Sequence, residues 1–267
     1  MKFAKSIRIP AFLALSILLL GVPAMGKNQV IEIDHSPFVL DLNGISMPLH
    51  IQQNMAEGDI FIKGQVADRL EISIEDLDDE QLGPKAFLVI NSSNGSISLS
   101  LSGEFLQRDT EWIVPESTSF SVQTVEGDIT MENIRGDINC ASVEGTIELI
   151  NVNGKISVAS QDGDIAVQIS RLVSGNPISL TSEDGDIALA LPAEPDVSLN
   201  ASTIDGSIYC DFPIRTVSHP DPKNHDRSVW TSILSENTLI GRIGDGKLPI
   251  QLNTLDGDIA IVRSNQK

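Results

Sequence analysis

Apolar residues fall on every second position through much of the chain, and their phase is set by glycine. Gly-x-Ile occurs at Gly58, Gly95, Gly127, Gly136, Gly145, Gly154, Gly163, Gly185, Gly206 and Gly257, and from Gly127 to Gly163 the step is nine residues four times running. Two positions after these five glycines stand Ile129, Ile138, Ile147, Ile156 and Ile165. Four positions after stand Met131, Cys140, Leu149, Val158 and Val167. Mostly polar residues lie between, so the period is two and each unit predicts a short strand with one buried face. The glycine marks the turn, where a side chain would obstruct the backbone.

A second signal doubles the period. Three residues before alternate glycines stand Thr124, Ser142, Ser160, Ser182, Thr203 and Thr254, whereas Gly136 and Gly154 have Asn133 and Asn151 there. Two unlike half-units of nine make one coil of about eighteen residues. Stacked coils pair like strands in parallel, each burying its inner face against its neighbours. The expected fold is therefore all-β: a single-chain, right-handed parallel β-helix or solenoid, the hand following from the rule for parallel crossovers. An antiparallel sandwich could share the glycine turns but has no need of a six-member hydroxyl column. A calcium-binding roll would need more glycine and a different aspartate phase. Cys140 and Cys210 both take the inward phase, about four coils apart when counted along the chain, and so read as buried free thiols.

Outside the regular repeat the chain divides into segments. Residues 1–24 carry Lys2, Lys5 and Arg8, then an apolar run from Ala11 to Val22, and close in Val22-Pro23-Ala24. This is the pattern of a cleaved secretory signal, too short to span a bilayer, and it implies a periplasmic or extracellular protein with no later membrane span. Residues 25–115 alternate irregularly and read as N-terminal β coils and a cap, since stacked strands must be covered at their ends. Residues 116–262 form the regular solenoid, with a long loop insertion at 213–237, and 263–267 are a tail. His219, Asp221, His225 and Asp226 in that loop lack metal-ligand spacing and read as a solvated loop.

Composition narrows the partners. Eighteen Lys and Arg against 37 Asp and Glu give a net charge of −19, which becomes −22 without the leader's three cations. Such a chain repels phosphate backbones and anionic membrane surfaces, which excludes a nucleic-acid partner. Hydrophobic residues at 41% are too many for an acidic disordered chain, and aromatics at 4% are few for gripping sugars or bases.

The stretch from Ser119 to Ile165, with Val125-Glu126-Gly127-Asp128-Ile129, resembles the bacterial adhesin-like, or toastrack, domains. So does the tail from Gly241 to Val262, where Gly241-Arg-Ile-Gly-Asp-Gly246 precedes Leu252-Asn-Thr-Leu-Asp-Gly-Asp-Ile259. The likeness runs from about Ile51 to Val262. It implies a β-helix outside the cytoplasmic membrane and brings no catalytic residues with it.

No nucleophile elbow, zinc-protease helix, phosphate loop or dinucleotide fingerprint is present, and no cofactor or metal is expected. What stands out is an acidic edge. The first-type glycines are flanked by Glu126 and Asp128, Glu144 and Thr146, Asp162 and Asp164, Asp184 and Asp186, Asp205 and Ser207, and Asp256 and Asp258, while the second-type turns carry Arg135 and Asp137, and Asn153 and Lys155. Coils in register would stack these into a column that could bind weak calcium or a basic partner. The reading is of a non-enzymatic cell-envelope protein whose solenoid presents a binding, adhesion or assembly surface to an unknown envelope protein or glycan. The alternative is a carbohydrate-active β-helix using Asp162, Asp164, Asp184 and Asp186 as acid and base.

Overall fold

Each half-unit of nine residues becomes one strand and one turn, and successive half-units go to opposite sheets. The computed structural model describes residues 17–18, 28–33, 36–43, 47–75, 86–93, 96–103, 108–215, 233–235 and 237–264. Among these there is no helix, hence none long and apolar enough to cross a membrane. The expected export segment lies outside them apart from Ile17 and Leu18. The acidic loop 76–80 and the residues His219, Asp221, His225 and Asp226 also lie outside. The chain folds as two compact units, residues 1–144 and 145–267.

In the first unit the strands are β1 (Ile17–Leu18), β2 (Asn28–Ile33), β3 (Phe38–Asp41), β4 (Leu49–Asn54), β5 (Ile60–Gln65) and β6 (Arg69–Ile74). They continue as β7 (Ala86–Ser93), β8 (Ser96–Gly103), β9 (Thr110–Pro115), β10 (Ser119–Glu126), β11 (Ile129–Glu132) and β12 (Ile138–Glu144). One sheet runs β2-β7-β8-β4-β10-β12 and the other β1-β3-β6-β9-β5-β11. The strands nearest the repeat, β8-β4-β10-β12 and β9-β5-β11, pair in parallel. Antiparallel β7 and β2 cover one sheet, and antiparallel β6 and β3 cover the other.

The second unit holds β13 (Ile147–Val152), β14 (Ile156–Asp162), β15 (Ile165–Ile169), β16 (Ile178–Asp184), β17 (Ile187–Leu191) and β18 (Val197–Ser202). After them come β19 (Ile208–Cys210), β20 (Ile233–Ser235), β21 (Thr238–Ile243), β22 (Leu248–Asn253) and β23 (Ile259–Arg263). Its sheets run β14-β16-β22-β18-β21-β20 and β13-β15-β17-β23-β19. Spatial order therefore departs from chain order: the coil β22–β23 lies between β16–β17 and β18–β19. In the first unit β4–β5 is likewise placed between β8–β9 and β10–β11.

The predicted core is in place. Ile129, Ile138, Ile147, Ile156 and Ile165 are at most 2% exposed, as are Met131, Cys140, Leu149 and Val158. Burying one such aliphatic side chain stabilises the fold by about 1.5–3 kcal/mol, which adds to the parallel ladders that join one coil to the next. The apolar residues two before glycine split by turn type. Ile134 and Val152 are buried, but Val125 and Val143 are 49% and 37% exposed. The two asparagines of the second-type turns take positive φ, 58° at Asn133 and 56° at Asn151. Asparagine tolerates that backbone because its short side chain bonds locally. The hydroxyl residues instead end strands of the other sheet, so the alternation seen in the sequence marks which sheet each half-unit joins.

Cys210 corrects one expectation. Both cysteines are free thiols, but only Cys140 is buried, while Cys210 is half-buried. It sits on β19, which among the described residues is the last strand of its sheet. Counting coils along the chain also misplaces it, because the C-terminal coil stacks inside it.

Candidate functional site

The first-type turns stack in register, and each stack builds three columns around its glycines. The hydroxyl column lies innermost: Thr124, Ser142, Ser160, Ser182, Thr203 and Thr254 are all at most 6% exposed. In the second unit Ser182 Oγ donates to the Gly163 carbonyl at 3.2 Å, Thr254 Oγ1 to that of Gly185 at 3.0 Å, and Thr203 Oγ1 to that of Gly257 at 2.9 Å. Thr124 and Ser142 donate instead to the carbonyls of Glu126 and Glu144, and Ser160 Oγ has no hydrogen-bond partner among the described residues, so the column pairs turn carbonyls at five of its six positions. The glycines are fixed by close approach. A Cβ on Gly206 would lie 2.1 Å from the Gly257 carbonyl oxygen.

The carboxylates flanking the glycines form two further columns, which do different work. The eight residues singled out, Glu126, Asp128, Asp162, Asp164, Asp184, Asp186, Asp256 and Asp258, are all exposed. Those after the glycine are tied to the backbone. Asp164 Oδ1 accepts from the Asp186 N–H at 2.8 Å, Asp186 Oδ1 from the Asp258 N–H at 2.7 Å, and Asp258 Oδ1 from the Ser207 N–H at 2.8 Å. In the first unit Asp109 Oδ1 accepts from the Asp59 N–H, and Asp59 Oδ1 from the Asp128 N–H, each at 2.8 Å. The column ends in Ser207, on the outermost coil of its stack. Among the described residues no further coil there offers an amide for a carboxylate to cap.

Four residues before a glycine, Asp162, Asp184, Asp256 and Asp205, form the other column. Asp162 aligns with Asp184, Asp184 with Asp256 and Asp256 with Asp205, so four carboxylates follow one another at the strand spacing of about 4.8 Å. Among the described residues none of these four side chains has a hydrogen-bond or ion-pair partner, and Glu126 and Glu144 stand in register in the first unit. Beside Asp256 and Asp205 lie Leu255 and Ile204, 51% and 71% exposed. No group of three or more His, Cys, Asp or Glu among the described residues is placed to hold a metal ion.

Sequence reasoning passed over Asp59 and Asp109 as site residues, and had Asp205 only as a flank of Gly206. Asp59 carried the signal in Gly58-Asp59-Ile60, whereas Asp109 follows Arg108 and offers no glycine to find it by. Asp59 and Asp109 also line a recess of about 590 Å³ with Phe61, Glu75 and Glu111.

A second polar cluster surrounds the glycine-rich turn before β22. Asp196 receives Lys247 Nζ at 2.9 Å and the Gly246 N–H at 2.7 Å. The lysine's hydrogen bond leads in holding the Asp196 carboxyl below the usual carboxylate range, and the backbone amides of Lys247 and Gly246 add to it. Asp196 and Asp245 in turn raise Lys247. On β19, Tyr209 donates to Asp211, which lowers Asp211 and raises Tyr209.

A family model described as Toastrack DUF4097 matches residues 47–262, most of the chain. The protein belongs to the Toastrack DUF4097 family. Two solved structures resemble this toastrack chain. One is described as "a putative cell adhesion protein" from Clostridium sporogenes ATCC 15579, with 12% identity, 89% of this chain and 99% of that chain covered, and a TM-score of 0.44. The other is "a putative adhesin" from Bacteroides fragilis NCTC 9343, with 12% identity, 91% and 100% covered, and a TM-score of 0.30. At such scores neither speaks to the role of this toastrack protein. No curated protein matches it.

Proposed function

We propose that this toastrack protein is a non-enzymatic scaffold of the cell envelope, exported by cleavage after Ala24, whose first-type corner is an interaction edge for a cationic partner protein. The observation that carries the reading is the free column Asp162-Asp184-Asp256-Asp205 beside exposed Leu255 and Ile204. Four unpaired carboxylates at this pitch repel one another by about 1 kcal/mol per neighbouring pair even in water, so a cationic surface laid on them is favoured. The adjoining leucine and isoleucine add apolar contact that a bare metal ion would not use.

The column after the glycine weakens the carbohydrate-cleaving alternative. Asp164 and Asp186 each hold a backbone N–H, and an acid or base so engaged is poorly placed to exchange protons with substrate.

The test compares the mature protein with a variant carrying Asn at 162, 184, 205 and 256. A lysine-rich peptide alternating with leucine is the probe, titrated calorimetrically at 50 and 150 mM salt. Binding by the parent that falls with salt and is lost in the variant supports the edge; equal binding by both refutes it. A melting shift with millimolar calcium at fixed ionic strength, absent in the variant, would instead assign the column to the metal. Release of reducing ends from envelope polysaccharides would overturn the non-enzymatic reading.

A further inference from the structure

The coil β22–β23 is not at the end of its stack. β22 pairs in parallel with β16, from Ile178↔Ile250 to Thr181↔Asn253, and with β18, from Val197↔Leu248 to Ser202↔Asn253. β23 lies between β17 and β19 in the same way. Residues 248–263 thus fill a slot whose two walls are made earlier in the chain. Ile250, Leu252, Ile259 and Ile261 in the slot are at most 1% exposed.

A four-residue strap, 244–247, carries the chain into the slot. It joins β21 to β22, and these two strands lie on opposite sides of β18, so the strap crosses the start of β18. Asp196, the residue just before β18, holds it there. Its Oδ1 accepts from the N–H groups of Gly246 and Lys247, at 2.7 and 3.3 Å, and its Oδ2 meets Lys247 Nζ. Its backbone carbonyl accepts from the Leu248 N–H at 3.2 Å. Gly244 and Gly246 have φ of +67° and +76°. A strap with two such glycines, anchored mainly through one half-buried carboxylate, has the makings of a hinge.

We propose that residues 248–263 are a detachable wedge, hinged at 244–247 and latched by Asp196, and that the slot accepts the same coil from a second copy of this chain. The slot's demands identify the occupant. It needs apolar residues at the phases of Ile250, Leu252, Ile259 and Ile261. It needs a hydroxyl at Thr254 for the Gly185 carbonyl, and no side chain at Gly257, where a Cβ would lie 2.3 Å from the Gly185 oxygen. It needs an acceptor at Asp258 for the Ser207 N–H. A second copy meets every one of these by identity, and an exchanged coil makes in trans the hydrogen bonds and core contacts it makes in cis. Exchange of an identical element is a low-cost route to association for that reason. The inference rests on observations other than those behind the acidic edge, although Asp256 and Leu255 of that edge lie on the wedge.

The test uses full-length protein, wild type and Asp196→Asn, with a fluorescent synthetic peptide spanning residues 247–264. In native-state hydrogen exchange, the amides of 248–263 are expected to open as one set, about tenfold or more faster than those of Ile156–Asp162. Fluorescence anisotropy is expected to show uptake of the peptide, several-fold faster in Asp196→Asn and intermediate in Asp196→Glu. A peptide of the same composition in scrambled order should stay free. Residues 248–263 exchanging only together with Ile156–Asp162 would overturn the wedge. A peptide that enters neither protein, or a scrambled one that enters equally, would overturn coil exchange.

Discussion

Asp186 Oδ1 accepts a hydrogen bond at 2.7 Å from the backbone N–H of Asp258, a residue 72 positions later in the chain. The bond completes a turn that the strands leave unfinished. At Gly163-Asp164-Ile165 the glycine N–H goes to the Asp184 carbonyl and the isoleucine N–H to the Asp186 carbonyl. In the next coil the Asp186 N–H falls between such bonds and is taken by the Asp164 carboxylate instead. Asp164, Asp186 and Asp258 are thus backbone caps in successive coils, while Asp162, Asp184 and Asp256 before the same glycines are left to solvent or to a partner.

The two columns should separate on mutation. Asp186→Ala removes the acceptor of the Asp258 N–H and is expected to cost about 0.5–1.5 kcal/mol, with Asp186→Asn costing less because an oxygen remains. Asp184→Ala, two residues away, breaks no hydrogen bond and should stay within about 0.5 kcal/mol of wild type. Urea unfolding of the three variants reads the difference directly. Equal losses at 184 and 186 would contradict the assignment of roles.

Ile147 is fully buried on β13. Ile147→Asp would place an unpaired carboxylate inside the coil, and a destabilisation above about 4 kcal/mol is expected, enough to prevent folding of a marginally stable unit. Ile147→Val should cost only about 0.5–1.5 kcal/mol. Circular dichroism during thermal melting distinguishes the two.

The strap should show pH dependence at both ends of the scale. Asp196 is depressed, first by its hydrogen bond from Lys247, so its contribution is present above the unfolded carboxylate value of about 3.9 and is lost as pH falls through the lower folded value. Lys247 is raised, first by Asp196 and then by Asp245, so its contribution is present below about 10.4 and is lost as pH rises through the higher folded value. The melting difference between wild type and Asp196→Asn should be flat between those limits and shrink beyond each. A difference that grows below pH 4 would refute the latch.

The thiols should differ in access. Burial raises both cysteines, but Cys140 is enclosed whereas Cys210 is half-exposed on the terminal strand β19. A thiol reagent at pH 8 should label Cys210 in the native protein and Cys140 only on unfolding. Mass spectrometry of the unreduced protein should find no linkage between them.

Much of this protein was legible as sequence because its rules are local. Period-two burial, glycine turns and the alternation of hydroxyl with asparagine each depend on a few neighbouring residues. Each recurs, and repetition raises a weak local signal above chance. Hence Ile129, Ile138, Ile147, Ile156 and Ile165 could be placed in the core, and the acidic residues at one corner, before any coordinates. The order in which coils stack was not legible. Parallel coils with the same inward pattern can neighbour one another in several sequences, and nothing within residues 248–263 says that they belong between β16–β17 and β18–β19. That choice depends on partners far along the chain: the antiparallel seat of β21 on β18, and Asp196 holding the strap across it. The same distance hid the division of the acidic edge. Asp184 and Asp186 look alike as flanks of one glycine, and only the neighbouring coil, by offering an amide to one and none to the other, makes one a cap and leaves the other free.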